Sequence, residues 1–193
     1  ILMNTDPWWF AAAVGCYSLG TIISGVRWWH AAWGLKIRGL PVLYFIRTYY
    51  VGMWFSQALP SGMGGDVVKA WDLKRKTGRL RAAVTSTLLE RLSGFGALIG
   101  ILLVMLPVLN TLLGGYALLK LIWLMLALSV AGAVGITVAL RVKRLYKTKV
   151  GRQVWRLSRD VWRTFFSSFG RFFAQGFSSV CVQVLGVMVF WCL

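Results

Sequence analysis

Acidic side chains are scarce in this sequence: five aspartates and glutamates stand against 22 lysines and arginines in 193 residues. Two of the aspartates, Asp66 and Asp72, lie six positions apart, so a DxD-type metal site is missing. The single histidine, His30, excludes a metal centre built from histidines, and its neighbours Trp28, Trp29 and Trp33 suit an ordinary position at a membrane interface. Cys16, Cys181 and Cys192 sit inside apolar segments without CxxC spacing, which argues for small core or lipid-facing residues rather than redox or metal chemistry. HExxH, GxSxG, P-loop and strand-linked GxGxxG patterns are also lacking. The chain therefore carries no catalytic motif, and neither an enzyme activity of its own nor a cofactor is expected. No signal peptide is recognisable, and Ile1-Leu2-Met3 and Trp191-Cys192-Leu193 do not look like natural termini, so a part of a larger membrane domain is expected.

What is present is apolar. Hydrophobic residues make up 58% of the chain and charged ones 14%, where a soluble domain carries about half and about a quarter. The composition predicts an all-α integral membrane protein, a polytopic helical bundle in one transmembrane domain over 1–193, without strands or internal repeats. The net charge of +17 does not indicate nucleic acid, because the basic residues flank long apolar runs instead of forming a hydrophilic surface. Their expected partner is the anionic face of a bilayer.

About four transmembrane helices are expected. Trp8 to Trp29 is long enough to cross the hydrocarbon core, with tryptophans at both ends. Only Asp6 is charged before it, whereas Arg27, Lys36 and Arg38 lie at and beyond its far end, which the positive-inside rule places in the cytoplasm. Leu80 to Pro107 is a second span, on which Ala83, Thr87, Glu90, Gly94 and Ala97 share one small-residue face and Gly96 to Gly100 adds a GxxxG element. Asn110 to Gly115 reads as a short external loop, Tyr116 to Leu140 as a return crossing, and Phe165 to Leu193 as the last. Arg141 to Arg163 carries nine basic residues against Asp160; its stretch 154–163 has the pattern of a cationic amphipathic segment on an anionic leaflet.

The interruption at Leu59-Pro60-Ser61-Gly62-Met63-Gly64-Gly65-Asp66 organises the rest. Proline and three glycines stop the preceding apolar run, and a second basic cluster, Lys69 to Arg81, follows. Both flanks, Lys36/Arg38 and Lys74/Arg75/Lys76, carry cytoplasmic charge, which two ends of one crossing cannot share. The pattern favours a re-entrant segment over 41–65, broken at Pro60–Gly65, with helices at 41–58 and 66–76; the alternative is a simple crossing with the weaker group outside. Glycine N–H groups and a following helix N-terminus suit a phosphate, while Asp66 can equally cap that helix in an ordinary turn. Charges at membrane depth are functional candidates by default: Arg47, Asp66, Glu90 and Arg91. Glu90 is expected to be buried beside a cation, Lys69, Arg91 or an arginine of another helix.

The run 55–69, with Leu59-Pro60 and Gly64-Gly65-Asp66 followed by Lys69, then Glu90-Arg91 and Gly94 on the next helix and Arg27-Trp28 upstream, resembles the first signature of the flippase-like family. That family comprises the transmembrane region of lysylphosphatidylglycerol synthases and its stand-alone relatives. Lys69 replaces the more usual arginine, Gln57 an expected asparagine, and a second Pro-Gly-Gly-Glu motif is absent from this stretch. The resemblance implies a central site of Pro60, Gly62, Gly64, Gly65, Asp66, Lys69, Glu90 and Arg91, with Arg91, Lys69 or Arg47 meeting a lipid phosphate. A structural salt bridge from Glu90 or Asp66 to a cation remains the plainer account of the same residues. The implied function is a flippase or scramblase for an anionic phospholipid or polyprenyl-linked sugar in a bacterial or archaeal cytoplasmic (inner) membrane. Two alternatives stand beside it: the membrane part of an aminoacyl-phospholipid synthase, with a soluble catalytic domain elsewhere, and a structural subunit packed among other membrane subunits.

Overall fold

A computed structural model of the chain describes residues 7–58, 64–113 and 169–192, with single positions or short runs at 120, 122–125, 127, 131, 152, 156 and 159–161. Five helices can be delimited among them: α1 (Pro7–Gly34), α2 (Val42–Ala58), α3 (Gly64–Thr77), α4 (Leu80–Leu113) and α5 (Phe169–Cys192). No strand occurs among the described residues. Among the described residues, three stretches are long and apolar enough to cross a membrane, Pro7–Gly34, Leu80–Val108 and Phe173–Cys192. The protein is an all-α membrane bundle.

Local chemistry sets the helix ends. Pro7 opens α1, where its missing N–H is not needed. The helix closes through Ile37 N–H donating to Ala32 O (3.1 Å), with Lys36 (φ 60°) and Gly39 (φ 96°) in left-handed backbone. At the end of α3, Gly78 (φ 69°) donates its N–H to Lys74 O at 2.7 Å, and α4 starts two residues later. Glycine is required there because a side chain would be strained at that angle.

α2 and α3 form an antiparallel hairpin. Ser56 meets Gly65, Gly52 meets Gly65 and Lys69, and Thr48 and Tyr44 meet Asp72, so residue numbers fall on one helix as they rise on the other. At 1.5 Å per residue the arms are about 25 and 21 Å long, against about 42 Å for α1. The hairpin thus begins and ends at the same end of the bundle, short of a full crossing. There the loop 35–40 and the end of α3 line a common cavity that includes Lys36, Arg38, Lys76 and Arg79, and Arg79 Nη1 donates to Lys36 O at 3.2 Å. Both basic flanks of the hairpin therefore share one rim, the arrangement that the charge pattern favoured. Arg81 joins the same rim, pairing with Asp160 and donating to Arg156 O at 2.9 Å.

α1 is the post against which the others pack. It runs antiparallel to α2, with a Cβ built at Gly25 coming 2.8 Å from Ile46 Cα, and antiparallel to α5, where Trp9 meets Trp191 (6.1 Å between centroids) and Gly20 meets Leu185. The core lies just below the rim, where Trp28, Phe45, Leu73 and Ala83 from four helices are all but fully buried and Trp28 meets Phe45 edge to face at 4.9 Å. Farther along, Phe95, Val104, Phe190 and Trp191 point outward, as lipid-facing side chains do in a bundle.

Two expectations are corrected. Gly64 and Gly65 are not part of a non-helical break but the first residues of α3, and neither has positive φ; residues 59–63, including Pro60 and Gly62, lie outside the described residues. The loop expected from Asn110 is helical through Leu113, and α4 passes Pro107 without ending. An apolar environment offers no water to replace the hydrogen bonds of a broken helix, so only the one bond that proline removes is lost. Gly96 and Gly100 have no neighbour within 4 Å of the point where a methyl group would stand among the described residues. The return crossing at 116–140 and the amphipathic stretch at 154–163 fall largely outside the described residues.

Candidate functional site

About 10 Å below the rim, counting seven residues back from Gly34 to Arg27 at 1.5 Å each, five charged side chains from three helices meet. Glu90 of α4 is at the centre and 3% exposed. Its Oε1 accepts from Arg27 Nη2 of α1 (3.3 Å) and from the Tyr49 hydroxyl of α2 (2.8 Å), and its Oε2 accepts from Lys69 Nζ of α3 at 2.9 Å. Lys69 Nζ also reaches Asp66 Oδ1 at 3.1 Å and lies 4.2 Å from the Tyr49 ring centroid and 5.5 Å from that of Trp28. Asp66 then passes the network outward: its Oδ2 accepts from Arg91 Nε at 2.5 Å. Arg27 Nη1 donates to Ser179 Oγ of α5 at 2.8 Å, and Ser179 in turn donates to Gln175 O.

Helix periodicity explains who meets whom. The small-residue face of α4 is buried as expected, with Ala83, Thr87, Glu90 and Ala97 all inside. Consecutive helical residues point about 100° apart, so Arg91 cannot share the direction of Glu90 and turns instead to Asp66, with its side chain 51% exposed. On α2, Tyr49 and Arg47 are two residues apart and face opposite ways. Arg47 is therefore exposed and lines a separate cavity with Thr48, Asp72 and Arg75, away from Glu90. Arg47 is thus not part of the Glu90 network.

The hairpin brings Lys69 and Asp66 under Glu90 because α2 and α3 touch backbone to backbone. A Cβ built on Gly65 would run into Gly52 O and Ser56 Oγ, and one on Gly52 would lie 3.0 Å from Gly65 O. The role of Gly65 is close approach, not an unusual backbone angle. Its N–H donates to Ser56 Oγ at 3.1 Å, which occupies one of the free donors at the start of α3.

Of the residues singled out from sequence, the structure unites Gly65, Asp66, Lys69, Glu90 and Arg91, with Gly64 adjacent. Arg27, Tyr49 and Ser179 were not singled out as site residues. The Arg27-Trp28 pair was the available signal for the first, since an arginine inside an apolar helix is costly unless used. Tyr49 and Ser179 carry no such signal.

The charges of the network do not balance: Arg27, Lys69 and Arg91 against Asp66 and Glu90 leave one positive charge in excess. Arg27 Nε is buried with no hydrogen-bond partner among the described residues. An apolar bundle that carries a buried, net-cationic network and a hairpin with arms shorter than a crossing is a polytopic membrane protein with an internal polar site. The chain belongs to the family described as lysylphosphatidylglycerol synthase TM region, which it matches over residues 1–193. No curated protein and no solved structure matches it.

Proposed function

We propose that the protein handles the phosphate of an anionic phospholipid or polyprenyl-linked sugar at the Glu90 network and moves that lipid across the bilayer as a flippase or scramblase. The observation that supports this is the excess positive charge of the network, held at membrane depth and reaching the surface through Arg91. A lipid phosphate diester carries the one negative charge that balances it. In this reading Arg91 is the outer cation that meets the phosphate, Lys69 and Arg27 set the potential behind it, and Asp66 holds Arg91 and Lys69 while the site is empty. Gly64, Gly65 and the turn with Pro60 and Gly62 would supply backbone donors. The whole of 1–193 acts as one membrane domain, with the basic rim on the cytoplasmic side of a bacterial or archaeal inner membrane.

The family description favours a second reading, in which the same site feeds lipid to, or accepts it from, a lipid-modifying catalytic domain outside these residues. Both readings need phosphate recognition at Arg91. Arg91→Glu should abolish lipid translocation by the protein reconstituted in vesicles, and Arg91→Gln should weaken lipid affinity by about ten- to a hundredfold, the worth of one charge-assisted contact. Because Arg91 is half exposed, protein level and melting temperature should change little. Unchanged translocation in Arg91→Glu would remove the phosphate role and leave the network a structural tie.

A further inference from the structure

The hairpin has a second polar feature, on its opposite side. Tyr44, Arg47 and Val51 form a stripe at helical spacing along the outer face of α2, and Val68, Trp71 and Arg75 form the matching stripe on α3. Between the stripes lies a cavity of about 470 Å³, within the range of pockets that hold a small molecule or a headgroup. Its floor is closed by Asp72, whose Oδ2 accepts from the Tyr44 hydroxyl at 2.7 Å and from Thr48 Oγ1 at 3.3 Å. Neither Arg47 nor Arg75 has an ion-pair partner among the described residues. The lining therefore carries a positive excess of one, with its carboxylate already occupied.

Polarity along the cavity is graded. Arg75 is two residues from the end of α3 and Arg47 five from the start of α2, so both sit toward the basic rim. Val51 and Val68 lie farther toward the hairpin tip. A glycerophospholipid has the same gradient, with an anionic phosphate at the interface and chains directed inward. A soluble anion would leave the apolar end unused, and an apolar ligand would leave the positive excess uncompensated.

We propose that this groove is a second lipid site, distinct from the Glu90 network, which seats one glycerophospholipid with its phosphate diester between Arg47 and Arg75 and its chains along Val51 and Val68. Trp71, 61% exposed at the lip, supplies an amphipathic ring at the level of the glycerol backbone. The site does not depend on translocation. A lipid held there would brace the side of the hairpin that faces away from α1 and α4.

The test is native mass spectrometry of the whole protein in detergent, titrated with dioleoylphosphatidylglycerol. The wild type should retain one lipid that R47Q/R75Q loses, with apparent affinity lower by about tenfold or more for the loss of two charge-assisted contacts. Val51→Trp, which fills the groove and removes no charge, should lose the same lipid; it also decides the matter if R47Q/R75Q does not fold. Removal of two rim charges in R38Q/R79Q should leave the lipid in place. Millimolar inorganic phosphate should not displace it. Retention of the lipid in both R47Q/R75Q and Val51→Trp, equal loss in R38Q/R79Q, or displacement by inorganic phosphate alone would overturn the proposal. Arg91→Gln should not alter this lipid, so its failure and that of the Glu90 site are read separately.

Discussion

Glu90 collects donors from three other helices, Arg27 of α1, Tyr49 of α2 and Lys69 of α3. A buried carboxylate so placed adds less net stability than its contacts suggest, because desolvation of the ions offsets most of their attraction. Its removal is another matter. Glu90→Gln leaves Arg27 and Lys69 facing each other without the anion that separates them, and stability should fall by about 3–5 kcal/mol. Thermal melting in detergent reads this directly, and a melting temperature equal to the wild type would show that water or lipid replaces the carboxylate. Arg91→Gln should behave in the opposite way, with little change in melting and a clear loss of lipid affinity. The contrast arises because Glu90 is enclosed and Arg91 opens to the outside.

At the scale of elements, the hairpin depends on the glycine contact between α2 and α3. Gly65→Ala pushes a methyl into Gly52 O and Ser56 Oγ, and the first of these is backbone that cannot rotate away. Separation of the arms should cost about 1–3 kcal/mol and move Lys69 off Glu90. Gly96→Ala, with no described atom within 4 Å of the new methyl, should be neutral or more stable by about 0.5–1 kcal/mol through helix propensity. Both variants have the same chemistry on a helical glycine, so parallel melts isolate the effect of contact. Equal behaviour would mean that the α2–α3 approach is not under steric control.

For the whole molecule, the prediction concerns sidedness. Lys36 and Lys76 line one cavity at the basic rim, so single cysteines at the two positions should react with an impermeant thiol reagent from the same side of the membrane, in a background with Cys16, Cys181 and Cys192 replaced. Labelling from opposite sides would turn the hairpin into a crossing.

Much of the architecture was legible in the sequence, for a physical reason. Apolar length, basic flanks and small-residue periodicity are one-dimensional quantities, and a bilayer converts them into spans, sidedness and buried faces with little ambiguity. These features marked Trp8 to Trp29, Leu80 to Pro107 and the terminal apolar segment, placed both hairpin flanks at one end, and turned Glu90 inward with a cation beside it. The partners across helices were not legible, because nothing local to Arg27 or Tyr49 states which element will lie 63 or 41 positions away. Tertiary packing alone decided that Lys69 and Arg27 share Glu90 and that Arg91 goes to Asp66. With Tyr49 turned to Glu90, helix periodicity then sends Arg47, two residues away, to the far side of the hairpin, and packing gave Gly65 its role through contact with Gly52. Sequence determined which groups must leave the lipid; the three-dimensional approach of four helices determined with whom they are paired.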